Sequence, residues 1–141
     1  MDHTDNTPDA AVIVAVDQDG LVAILNAEFP RHGGEYLFLP GGRVEGDETP
    51  EECARRELQE EAGVTAESWR SLGSYAITLG SPARVHLFEA HDLTLGAQQL
   101  EPSEADFKLS WWPMQDAIQA AAEGQFLLPA GPLALMLAGR A

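Results

Sequence analysis

A chain of 141 residues with 45% hydrophobic residues suits one domain with one adequate core. Its 23 acidic residues against 8 basic ones leave a net charge of −15, a balance that disfavours nucleic-acid polymers, whose binding rests on many Lys and Arg contacts to phosphate. No apolar run approaches the roughly 18 residues of a membrane span, the N-terminal stretch has no basic signal-like region, and Cys53 is the single cysteine, so the expectation is a soluble, unprocessed, cytoplasmic protein with no membrane partner.

Residues 1–9 are polar and predict a flexible lead-in to one domain over residues 10–141. Residues 10–16 and 21–25 are short apolar runs around Asp17-Gln18-Asp19-Gly20, which predicts a β-hairpin. The Asp-x-Asp-Gly fragment lacks the remaining ligands of a calcium loop and reads as a turn. After Arg31-His32-Gly33-Gly34, residues 36–39 form a strand that delivers the chain into Gly41-Gly42. There the glycines permit positive φ and leave no Cβ against a phosphate or metal.

Thr49, Pro50 and Glu52 make a capping box with proline at the first helical position, so a helix starts at Pro50, and Gly63 ends it. Ala54, Leu58 and Ala62 recur at four-residue spacing as a stripe that docks on a sheet. Glu57, Glu60 and Glu61 fall at i, i+3 and i+4 and share another face. On an exposed helix such an acidic face is unremarkable, costing tenths of a kcal/mol. In a cleft, two carboxylates about 6 Å apart repel by roughly 3 kcal/mol at an effective dielectric near 20, which a divalent cation relieves. Arg56 stands four residues from both Glu52 and Glu60 and reads as a brace that pairs with either. Cys53, one turn before Glu57, reads as a small packing residue.

Residues 69–78 and 83–90 predict further strands, Trp111-Trp112 a last strand before Pro113, residues 114–123 a helix closed by Gly124, and Pro132 the start of a terminal helix through Leu137. This order predicts an α/β sandwich with a mixed sheet between helices. His3, His32, His86 and His91 have no zinc spacing. Phe29, Tyr36 and Phe38 offer faces for a nucleobase, though alternating strand aromatics more commonly fill a core. An anionic substrate must be received locally against the global field, and Arg31, Arg43 and Arg84 are the candidates, Arg43 first because it follows Gly42.

Gly42, five residues, Glu48, seven residues, Arg56-Glu57-Leu58, one residue, Glu60-Glu61, one residue, Gly63-Val64 resembles the signature of the Nudix hydrolase family at every defining position. Outside this box the resemblance is looser, over residues 10–138. It implies a Nudix-type α/β/α sandwich with a mixed β-sheet. The implied activity is hydrolysis, by water, of a nucleoside diphosphate linked to another moiety. Mg²⁺ or Mn²⁺ would be held by Glu57, Glu60, Glu61 and the Gly41 carbonyl, with Gly42 and the arginines against substrate and Arg56 among the catalytic set. The general base in such proteins is either a box glutamate or one on a later loop; here residues 98–106 form that loop, with Glu104 first and Glu101 second.

The run from Ser81 to Leu93, followed by Gln98-Gln99-Leu100-Glu101, is similar to the corresponding region of ADP-ribose and nucleotide-sugar pyrophosphatases. Leu39-Pro40-Gly41-Gly42 departs from their usual Pro-Ala-Gly, as does the lack of a long N-terminal segment. A pyrophosphohydrolase of nucleoside triphosphates, including oxidised ones, is therefore the competing expectation, and dinucleoside polyphosphates come third. A non-catalytic nucleotide-sensing module is the alternative of another class. The resemblance also makes a homodimer an expectation.

Overall fold

The computed structural model describes residues 5–140, and the rest of the fold is arranged around a strand buried on both faces, β1 (Ala10–Ala15). Ala11, Ile13 and Ala15 face one core, where Cys53, Ala54, Leu58 and Ala62 of helix α1 (Pro50–Ala62) meet them. Val14 faces the other core, closed by Ala117 and Ala120 of α2 (Met114–Ala122) and by Ala134 and Leu135 of α3 (Ala130–Ala138). Burial on both faces is why residues 10–16 are continuously apolar rather than alternating.

The remaining strands are β2 (Leu21–Phe29), β3 (Gly34–Phe38), β4 (Gly41–Arg43), β5 (Val64–Ala76), β6 (Arg84–Leu95) and β7 (Lys108–Pro113). One sheet has the order β4-β1-β6-β5, with β1 and β6 parallel and the other pairs antiparallel; the second is antiparallel, β3-β2-β7. The molecule is thus α/β, with the mixed sheet lying between α1 on one side and α3 on the other, and α2 packed on α3 and on β2 and β7 of the second sheet.

The predicted hairpin of residues 10–16 with 21–25 does not form as a strand pair. Its turn is present: the Asp17 carboxylate accepts from the Asp19 and Leu21 amides at 2.9 and 2.8 Å, and Gly20 takes φ +81°. Beyond an isolated Val16–Val22 bridge, however, the two strands part into different sheets. Both edges of β1 are taken, by β4 and β6, and β2 finds β3 and β7 instead. Gly41-Gly42 also differs from the expected loop, for it opens the short edge strand β4, paired with Val12 and Ala11, and neither glycine has positive φ. The lead-in is tied to the sheet at its end: the Asp9 carbonyl accepts from the Val44 amide at 2.9 Å, and its carboxylate lies 2.9 Å from His86 Nε2.

Helix α1 has the predicted boundaries, and the box is complete: the Glu52 amide donates to Thr49 Oγ1 at 3.1 Å and the Thr49 amide to Glu52 Oε1 at 2.8 Å. Gly63 closes it in the left-handed region at φ +70°, where a Cβ would come within 2.5 Å of the Gly96 carbonyl oxygen. Thr49→Ala is expected to cost about 1 kcal/mol, read as a lower urea midpoint at unchanged slope.

Candidate active site

Strand β4 runs beside the buried side of α1 and supplies the close approach that the glycines permit. A Cβ on Gly42 would lie 2.5 Å from the Glu57 carboxyl carbon, and the Gly41 amide donates to Glu61 Oε1 at 2.9 Å. It is space rather than positive φ that demands glycine here. Glu57 and Glu61, one turn apart on α1, are only 8% and 4% exposed, and the half-buried Glu104 comes in from the 3₁₀ turn Pro102–Glu104. One carboxylate oxygen from each of the three lies within 4.8 Å of the others.

Burial dominates the electrostatics. It pushes Glu57 up to about 7 against the Arg56 guanidinium, which favours the charged form. It pushes Glu61 up to about 9 against the Gly41 N–H bond, with Glu57 and Glu104 adding to the rise. Donors and burial together therefore fit a divalent cation: an all-oxygen set, drawn close, whose charge the protein alone does not neutralise.

Arg56 is the exception to that deficit, and its geometry is a clamp. Nε and Nη2 donate to the two oxygens of Glu48 at 2.6 and 3.0 Å, Nη1 donates to Glu57 Oε1 at 2.7 Å, and Nη2 also reaches the Arg43 carbonyl at 3.1 Å. These bonds raise the already basic guanidinium further and hold the Glu48 carboxyl below its usual range. Glu60 stands apart from the close trio, its Oε2 lying 3.4 Å from Arg56 Nη1. Helical spacing offered Glu52 as a partner of Arg56, but Glu52 is engaged in the capping box; the loop residues Glu48 and Glu45 take that place. Cys53 packs beneath the cluster, its thiol pushed up to about 12 by burial.

The candidate arginines are dispersed. Arg43 is exposed and adjoins the cluster through its backbone, Arg31 is exposed in the 3₁₀ turn Pro30–His32, and the Arg84 guanidinium turns to β5, donating to the Ser74 carbonyl at 2.9 Å. Glu101 is exposed and contributes its amide, which donates to Glu104 Oε1 at 3.2 Å. His86 and His91 pair with Asp9 and Glu89, neither of which belongs to the trio.

Sequence reasoning missed Gln98. Its side-chain amide donates to the carbonyls of Glu61, at 2.8 Å, and Phe107, at 3.4 Å, while the Gln99 and Gly96 amides donate to the carbonyls of Glu60 and Gly63, both at 2.7 Å. The segment carrying Glu104 is thereby laced to the end of α1. No local sequence signal marks these contacts, because they join residues far apart in the chain.

The model of the NUDIX domain matches residues 6–130. The chain belongs to the NUDIX domain family. Among NUDIX relatives, an ADP-ribose pyrophosphatase from Mycobacterium tuberculosis (strain ATCC 25618 / H37Rv) is 29% identical over 121 residues, covering 84% of this chain and 58% of the relative. An 8-oxo-dGTP diphosphatase from Proteus vulgaris is 41% identical over 51 residues, 36% of this chain and 46% of that one. The chain thus spans about half the length of the curated relatives it matches. The crystal structure of an ADP compounds hydrolase superposes with a TM-score of 0.79 at 22% identity, covering 96% of this chain and 72% of the other, which shows the shared fold.

The raised Glu61 carboxyl has a consequence for stability. The unfolded chain releases this proton near 4.5, whereas the folded protein holds it to about 9, so stability in metal-free buffer is expected to fall as pH rises through that window. Thermal unfolding of the protein and of Glu61→Gln checks this: the slope should flatten in the variant. An added divalent cation should raise the melting temperature more at about pH 8.5 than at about pH 5.5.

Proposed function

We propose that this protein hydrolyses a pyrophosphate bond in a nucleoside diphosphate linked to another moiety. The observation that carries this reading is the convergence of Glu57, Glu61 and Glu104 at the edge of the glycine strand. Mg²⁺ or Mn²⁺ is the proposed cation, with Glu57, Glu60, Glu61 and Gly41 as its ligands. When bound it would polarise the phosphoryl group, offset developing charge and lower the pKa of an attacking water.

The protein's own groups supply the rest. Arg56, fixed by Glu48, orients Glu57 and keeps Glu60 within reach of the cluster. Glu104 is the proposed acceptor of the proton that the attacking water gives up, since it comes from a different element than the helix carboxylates and faces them across the site. Gly42, whose missing Cβ makes way for the Glu57 carboxyl, is proposed to meet substrate through its backbone, and Arg43 adjoins the cluster to receive the substrate's remaining charge.

ADP-ribose or a nucleotide sugar is the first substrate, supported by the M. tuberculosis relative's name. A nucleoside triphosphate, oxidised or not, is the competitor, supported by the P. vulgaris one. The presence of Arg56, Glu57, Glu60 and Glu61 together favours an enzyme over a sensing module. The lone buried Cys53 supports a reducing, cytoplasmic setting, and unpaired sheet edges leave room for a homodimer. Among the described residues no helix is long and apolar enough to cross a membrane.

Phosphate release from ADP-ribose, nucleotide sugars, diadenosine polyphosphates and normal or oxidised nucleoside triphosphates, each with Mg²⁺, is the direct test. Turnover of none of them, with binding retained, favours the sensing module. Glu61→Gln is expected to lower kcat at least about a hundredfold with the fold intact. Glu104→Gln should cost roughly 10²- to 10⁴-fold if it is the base, and a kcat unchanged at saturating metal removes it from that role.

A further inference from the structure

Glu101 and Glu104 stand three residues apart in the arm that reaches the helix carboxylates, and the structure gives them different tasks. Glu101 is exposed, whereas Glu104 is half-buried and its carboxylate joins those of Glu57 and Glu61. Both backbone polar groups of Glu104 are satisfied inside the arm: its amide donates to the Glu101 carbonyl at 2.8 Å, and its carbonyl accepts from the Phe107 amide at 2.9 Å. The side chain is held from the same place, because the Glu101 amide donates to Glu104 Oε1 at 3.2 Å.

Each of the three converging carboxylates thus has an orienting donor of its own. Glu57 takes Arg56, Glu61 takes the Gly41 amide, and Glu104 takes the Glu101 amide. A glutamate side chain turns about three bonds, and an acceptor of the attacking water's proton must stand within roughly 3 Å of it, so a carboxylate fixed beforehand spares the reaction that search. We infer that Glu101 is a positioning residue that acts through its main-chain amide to hold the Glu104 carboxylate towards the helix pair, while the Glu101 carboxylate takes no part in proton transfer. The inference rests on the proposed hydrolysis for the task assigned to Glu104.

The local backbone allows the donor to be removed alone. Glu101 has φ −73° and ψ 159°, an extended conformation that proline adopts, and Leu100 before it lies in neither helix nor strand. Glu101→Pro therefore deletes the N–H along an unchanged chain path, and Glu101→Ala deletes the carboxylate and keeps the N–H. Both are made in the whole chain and assayed with Mg²⁺ on the panel substrate that the unsubstituted protein hydrolyses fastest. The expected kcat of Glu101→Pro is about tenfold or more below that of Glu101→Ala, with the KM values of the two within about twofold.

Hydrogen exchange at the Glu101 amide reads the bond itself and needs neither turnover nor the proline variant: Glu104→Ala is expected to speed it about fivefold or more. Equal kcat in the two Glu101 variants, a difference carried by KM alone, or an exchange rate indifferent to Glu104→Ala overturns the positioning role. A Glu101→Ala loss as deep as that of Glu104→Gln makes the Glu101 carboxylate a reactant and overturns it too. Faster exchange in Glu104→Ala with hydrolysis of no substrate in the panel overturns the hydrolytic reading and leaves the holding bond standing.

Discussion

Two carboxylates held out of water, one turn apart on a helix, are the constraint around which this protein is organised. Glu57 and Glu61 lie almost wholly buried because the opposite stripe of α1, Ala54, Leu58 and Ala62, is docked on the sheet and fixes the helix's rotation. The start at Thr49 and the stop at Gly63 determine which residues share that stripe, so a cap remote from the chemistry sets the phase of the acidic face. The glycine strand then closes over the carboxylates from the side, at a distance that a Cβ on Gly42 would forbid.

Electrostatics makes this arrangement unfavourable in the protein alone. Arg56 answers part of the charge, but it divides its donors among Glu48, Glu57 and a backbone carbonyl, and it leaves Glu61 to a single amide from Gly41. The unanswered part falls on the side where Glu104 enters. A buried acid with an opposing carboxylate is poorly designed for stability and well designed for capturing a cation, and that asymmetry separates this helix from a solvated acidic face of the same sequence pattern.

Much of this was legible from local spacing. The capping box, the extent of α1 and the apolar stripe follow from helical periodicity, and the structure has each of them; of the three box glutamates it draws Glu57 and Glu61 together and leaves Glu60 beside Arg56. Pairing between distant segments was not legible. The run from Ala10 to Val16 is apolar because both its faces are buried, yet nothing in it says that its neighbours are β4 and β6 rather than the adjacent run. Likewise, Arg56 could be matched by spacing to Glu52 or Glu60, whereas its strongest partner, Glu48, belongs to the loop before the helix. The approach of Glu104 was readable only as a carboxylate on a suitable loop. What brings it within 4.8 Å of the helix pair is Gln98, whose sequence neighbourhood gives no hint of that task.

The lacing by Gly96, Gln98 and Gln99 also bears on how the loop can vary in length. All three bonds end on carbonyls at the finish of α1, or just beyond it, within Glu60–Gly63, and Gln98 alone also touches the far end of the loop, at Phe107. Extra residues placed between Leu100 and Ser103 can bulge into solvent while both anchorages hold. A single residue added between Gly96 and Gln99 would throw the donors out of step with their acceptors and detach the whole arm from the helix. The stretch thus combines a rigid root with an adjustable tip, and lineages could lengthen the tip to reshape what enters the cleft without rebuilding its floor.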